Sequence, residues 1–215
     1  DGLTVSIKYH PRIAKVLLDN KKVKEIEEYY KQCADDGATE EDINASKRAM
    51  SSMEVILGEP SRLERLAVDI HDHYVSSCAG DPDRIQKAMI VCSNRKIAYA
   101  LLQKFKDKYP EWFEEKKHPD GVSVKEEELR ELKPMPFIAM VSSVGKNDAA
   151  DMYNYLGGVR NDKRSEEMDA AFKQEKSNFR IVIVVDMWIT GFDVPCLTYL
   201  YNDKPLKKHL LIQTI

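Results

Sequence analysis

Three polar clusters each follow a short apolar run, and their residue types suit phosphate and sugar oxygens. Ser93-Asn94-Arg95 follows the run 87–92. Ser142-Ser143, with Gly145-Lys146 beyond it, follows 137–141. The segment from Asp186 to Pro195, containing Thr190-Gly191-Phe192-Asp193, follows 181–185. Small hydroxyls and backbone N–H groups at helix starts are ready acceptors and donors for phosphate. Gly191 lets a backbone approach a ligand closely, and Asp193 can accept hydrogen bonds from sugar hydroxyls. Plainer uses exist for the same residues. Asn94 is a strong N-cap for a following helix, Thr190–Asp193 can be an ordinary strand-to-loop turn, and Trp188 suits packing better than base stacking.

These clusters need elements to bring them together. The run 87–92 is continuously apolar after its lysine, as are 137–141 and 181–185, which suits strands buried on both faces. A fourth strand is expected at 197–201. Between them, Ile97, Ala98, Leu101, Leu102 and Phe105 repeat at helical spacing, and 147–175 reads as helix interrupted at Gly157-Gly158. Strands alternating with helices imply an α/β fold with a parallel sheet. Ligands of such sheets bind beyond the carboxyl ends of the strands, which is where the three clusters fall. Residues 106–134 are highly charged and hold Pro110, Pro119 and Gly121, and are expected to be an exposed excursion. Residues 1–80 read as a separate helical segment, and 81–215 as the sheet domain. The first part holds 11 Lys+Arg against 15 Asp+Glu, so it is not the expected nucleic-acid surface. Leu63, Leu66, Ala67, Ile70, His73 and Tyr74 mark its last helix, restarted at Glu59-Pro60-Ser61.

Composition narrows the function classes. The 215 residues carry a formal net charge of −3 with 32% charged residues, which argues against a strongly basic overall field while leaving room for a local basic groove. No apolar run approaches the roughly 18 residues of a membrane span, and no signal peptide is visible. The four cysteines, at 33, 78, 92 and 196, form no C-x-x-C pair, so no zinc site is expected and the chain reads as cytoplasmic with reduced thiols. His71 and His73, two apart on a helix, point to different faces and do not make a metal pair. There is no G-x-x-x-x-G-K-[ST], no G-x-G-x-x-G, no G-x-S-x-G and no H-E-x-x-H. The chain opens at Asp1 and stops within the apolar run 210–215, which reads as a piece of a longer polypeptide.

The stretch 185–195 with T-G-F-D-x-P, then Asp203-Lys204-Pro205-Leu206 and His209-x-Leu211-x-Gln213, resembles the motor (R) subunit of type I restriction enzymes. Residues 87–100 resemble that family's motif IV strand and helix, and Arg12-Ile-Ala-Lys15 with the helices after it resembles the stretch between its two motor lobes. The resemblance implies a superfamily-2 translocase with two RecA-like lobes, ATP and magnesium between them, and duplex DNA across both. This chain is then the second RecA-like lobe, a parallel sheet flanked by helices and preceded by a helical segment. Ser93, Asn94, Arg95, Ser142, Ser143 and Thr190 are expected to face DNA, and Gly191 and Asp193 the nucleotide. Gln213 falls on the first position of motif VI, and the arginines of that motif lie beyond the chain, so no complete catalytic set and no metal site are expected here. The implied partners are the first lobe and nuclease domain of the parent chain and the methyltransferase and specificity subunits. Two other readings stand beside it: another superfamily-2 helicase lobe, and a non-enzymatic α/β assembly module.

Overall fold

The structure is a computed structural model that describes residues 54–81, 84–185, 187–188 and 194–204. Four strands form one parallel sheet: β1 (Lys87–Cys92), β2 (Ile138–Val141), β3 (Ile181–Val184) and β4 (Leu197–Asp203), in the order β2-β3-β1-β4. β1, β2 and β3 are buried along their whole length, which is why their sequences do not alternate. Helix α1 (Pro60–Gly80) precedes β1, α2 (Arg95–Lys108) joins β1 to β2 together with the short α3 (Glu126–Glu131), and α4 (Ala150–Tyr155) and α5 (Asn161–Lys173) join β2 to β3. This is the parallel α/β architecture expected from the alternation of runs.

Each face of the sheet has its own core. On one face Ala88, Ile90, Cys92, Ile138, Met140, Ile181 and Ile183 pack under α1, α2 and α4. On the other Met89, Val91, Ala139, Val141, Val182 and Val184 pack against Phe172 and Ala171 of α5 and against Phe179. The α1 stripe expected from the sequence is the one that is buried, with Leu63, Ala67, Ile70 and Tyr74 all inside. This helix, the last part of the segment 1–80, shares its core with the sheet. Each large apolar side chain taken inside contributes about 1.5–3 kcal/mol. Glu59 caps α1 by accepting from the Ser61 and Arg62 backbone N–H groups, with Pro60 in the first turn. Asn94 caps α2 by accepting from Ile97 N at 2.9 Å. Gly157 ends α4 at a φ of 94°, a left-handed turn that favours glycine.

The stretch 106–134 differs from expectation. Its charges are exposed, but Trp112, in a 3-10 turn (Pro110–Phe113), is buried and stacks on Phe105 with ring centroids 5.8 Å apart. Leu132 is buried, and Lys116 bridges backbone to backbone with Met135. Two apolar anchors and one bridge therefore tie the excursion to the sheet. The charge density hid them, because single apolar residues among charges carry no periodicity.

The expectations for residues 1–53, for Asp186, Thr190, Gly191 and Asp193, and for Gln213 lie outside the described residues.

Candidate functional site

The strand order brings the expected clusters to one edge. β3 lies between β2 and β1, so the chain leaving β3 at Val185 starts between the exits that carry Ser142-Ser143 and Ser93-Asn94-Arg95. Nothing in the sequence stated that neighbourhood. Trp188, just beyond the β3 exit, takes a left-handed backbone with φ 59°, rare for a bulky residue. Its ring packs toward Phe172 of α5, centroids 6.0 Å apart, in the packing role expected for it.

Arg95 joins two of the exits. Its guanidinium pairs with both Asp148 oxygens, at 3.0 and 2.9 Å, and Nη1 also donates to the Ser143 carbonyl at 3.0 Å. Asp148 in turn accepts from Gly145 N at 2.6 Å. The guanidinium lies over Gly145 so closely that a Cβ there would sit 2.0 Å from Arg95 Nη2. A side chain at this position and the guanidinium would therefore compete for one place, with no unusual φ involved. Arg95 thus holds the β2–α4 loop against the start of α2 and is half-buried in doing so.

The hydroxyls are placed differently from one another. Ser142 is buried, its carbonyl taken by Asn161 Nδ2 at 2.9 Å, while Ser143 is exposed. Ser93 Oγ is buried and has no hydrogen-bond partner among the described residues. Asn94 spends its side chain on the α2 cap. Lys96 and Lys146 stand exposed beside these exits.

A fourth member of the edge was missed by sequence reasoning. Asp203, the last residue of β4, lies in register with Cys92. It forms a buried, two-point ion pair with Arg62 from the first turn of α1, and Arg62 Nη1 also donates to the Leu57 carbonyl at 2.9 Å. Burial pushes the Asp203 carboxyl above the usual carboxylate range, against the pull of the Arg62 hydrogen bond and charge. Burial also raises the neighbouring Cys92 thiol, and Asp203 adds to it. The only sequence signal was Asp203 itself, inside the D-K-P-L element. Its partner lies 141 positions away.

Other polar features stand elsewhere. Among the described residues no group of three or more His, Cys, Asp or Glu side chains could hold a metal ion. His71 stacks on Tyr109 at 3.7 Å, whereas His73 Nδ1 lies 2.7 Å from the Tyr201 hydroxyl. Cys78, Cys92 and Cys196 are free thiols, the last two buried. No helix among the described residues is long and apolar enough to cross a membrane. A cavity of ≈ 240 Å³, lined by residues including Tyr74, Trp112, Phe137 and Arg180, opens at the opposite, amino-terminal edge of the sheet. Its apolar lining separates it in chemistry as well as position from the polar exits.

Comparison with known proteins shows the family to which the chain belongs. Residues 84–215 match the family model described as type I restriction enzyme subunit R domain 3. Over all 215 residues the chain is 32% identical to a Methanocaldococcus jannaschii protein provisionally named type I restriction enzyme MjaIXP endonuclease subunit. Over 180 residues, 84% of the chain, it is 30% identical to the type I restriction enzyme HindI endonuclease subunit of Haemophilus influenzae. The chain spans 18% of the first relative's length and 15% of the second's.

Proposed function

The chain belongs to the R-subunit family of type I restriction enzymes, and from that premise we propose that it is the second motor lobe of an ATP-dependent DNA translocase that also cuts DNA. ATP binds between this lobe and a first lobe elsewhere in the parent chain. Duplex DNA runs across both, and cycles of closure and opening step the protein along it. A nuclease domain of the same parent chain cuts, and methyltransferase and specificity subunits complete the assembly.

The observation that carries this reading is the placement of the β3 exit between those of β1 and β2. It supports a single element, Thr190-Gly191-Phe192-Asp193, serving two ligands: Thr190 a DNA phosphate, Gly191 and Asp193 the nucleotide. Ser143, with Lys96 and Lys146 beside it, offers exposed groups to the DNA backbone. Ser93 stands at the β1 exit as a DNA-facing candidate, its Oγ buried and without a hydrogen-bond partner among the described residues, and Asn94 and Ser142 shape the exits. Arg95 serves the same surface by fixing the loop that carries Ser143. Magnesium would arrive with ATP and would supply charge neutralisation at its phosphates. The 215 residues hold no P-loop pattern, so in this reading the phosphate cradle of the ATP site belongs to the first lobe.

The test is Asp193→Ala in the intact parent subunit. DNA-stimulated ATP turnover is expected to fall about 10- to 100-fold, the worth of a charged hydrogen bond of about 1.5–3 kcal/mol, with an unchanged melting curve. Undiminished turnover would favour the assembly-module reading, in which this edge docks a partner and has no part in catalysis.

A further inference from the structure

We propose that Arg62 and Asp203 are positioning residues, a buried clamp that joins the start of α1 to the end of β4 at the nucleotide-facing edge. This rests on the motor-lobe reading above and adds to it the part that transmits movement.

The geometry is that of a fixed joint. The Arg62 guanidinium grips both Asp203 oxygens and the Leu57 carbonyl, and both side chains are less than 10% exposed, at 9% and 8%. A buried ion pair is a poor way to gain stability, because desolvation offsets most of the attraction and a well-packed apolar pair is often as good or better. What a two-point fork supplies is a defined distance and angle between the elements that carry it. Here those elements are α1 and β4. The chain enters α1 through residues 54–59, and Glu59 caps the start of α1. It leaves β4 through Lys204 toward Gln213. Asp203 is in register with Cys92, one residue before the Ser93 exit. The clamp therefore ties the incoming chain, which leads from the first lobe in the motor reading, to the outgoing chain at the level of the proposed ligand contacts. Displacement of the start of α1 on lobe closure is passed to the end of β4 through this pair.

The experiment is done in the full-length parent subunit assembled with its partner subunits, by steady-state ATP hydrolysis with and without duplex DNA. Arg62→Met with Asp203→Leu replaces the pair by apolar groups, which should leave the melting midpoint at or above that of the unaltered protein. The expected result is a kcat about tenfold lower in the presence of DNA, with KM for ATP within about twofold. Unaltered turnover in this folded variant overturns the clamp, since a purely structural pair is replaceable. Should the variant not fold, Arg62→Lys keeps the charge and removes the fork. Its kcat is expected to fall severalfold, and unaltered turnover overturns the proposal again. Failure here is separable from failure of the motor reading. If Asp193→Ala abolishes turnover while the apolar pair does not, the clamp alone falls. If the unaltered parent shows no DNA-stimulated turnover, the motor reading falls and takes the clamp with it.

Discussion

Lys87 shows what a single residue contributes when its charge is out of place. It is fully buried at the start of β1, and its Nζ donates to the carbonyls of Phe172 and Gln174 at 2.6 and 2.8 Å, at the end of α5. A neutral amine has two N–H donors for these two acceptors, so neutrality leaves no donor unused. Burial lowers its pKa from 10.5 to about 7. Between about 7 and 10.5 the unfolded chain therefore holds a proton that the folded chain lacks. Stability from this group rises with pH across that window, by up to about 1.4 kcal/mol per pH unit. Urea unfolding at several pH values from neutral to mildly alkaline should show that rise. In Lys87→Met it should be flattened. A difference between the two proteins that does not change with pH would mean that Lys87 stays charged inside.

The β2–α4 loop shows how an element is shaped by one absent side chain. Gly145 leaves room for the Arg95 guanidinium, which holds Asp148 and the Ser143 carbonyl. In Gly145→Ala the methyl group and the guanidinium compete for one place, and the guanidinium, at the end of a flexible chain, is the one to leave. The cost is the loss of its bonds and of the partner of a carboxylate whose side chain is 3% exposed, about 1–3 kcal/mol. Denaturant midpoints should fall accordingly. Adding Arg95→Met to Gly145→Ala should cost little more, because both changes remove the same interaction. Additive losses would show that the glycine matters for another reason.

At the scale of the whole molecule, the motor reading must draw its attraction to DNA from one edge, because a net charge of −3 gives no favourable overall field. The chain by itself should bind duplex DNA weakly and without sequence preference, with affinity falling steeply as salt rises from about 50 to about 200 mM. Fluorescence anisotropy with two duplexes of unrelated sequence checks this. Tight binding to one of them would contradict the motor reading, in which target recognition belongs to another subunit. The same anisotropy series on Lys146→Ala should show a shallower salt dependence, by about one phosphate contact.

Most of the elements were legible from residues next to one another in the chain. Lys87–Cys92 is a strand because five consecutive apolar residues follow the lysine in a segment too short for a stable helix, and the observed bounds are those expected. Asn94 caps α2 and Gly157 ends α4 because capping and left-handed turns are chosen by residues next to one another in the chain. The polar exits Ser93–Arg95 and Ser142-Ser143 were legible for the same reason. Tertiary structure decided which elements became neighbours. The order β2-β3-β1-β4 follows from which crossover passes over which face of the sheet, and no local pattern encodes it. The burial of Trp112 within a charged stretch, the commitment of Arg95 to Asp148 and the pairing of Arg62 with Asp203 all depend on that arrangement. In sequence each of these charged residues reads as surface. Only the fold supplies the opposite charge, and the loss of water around it, that turns a surface residue into a joint.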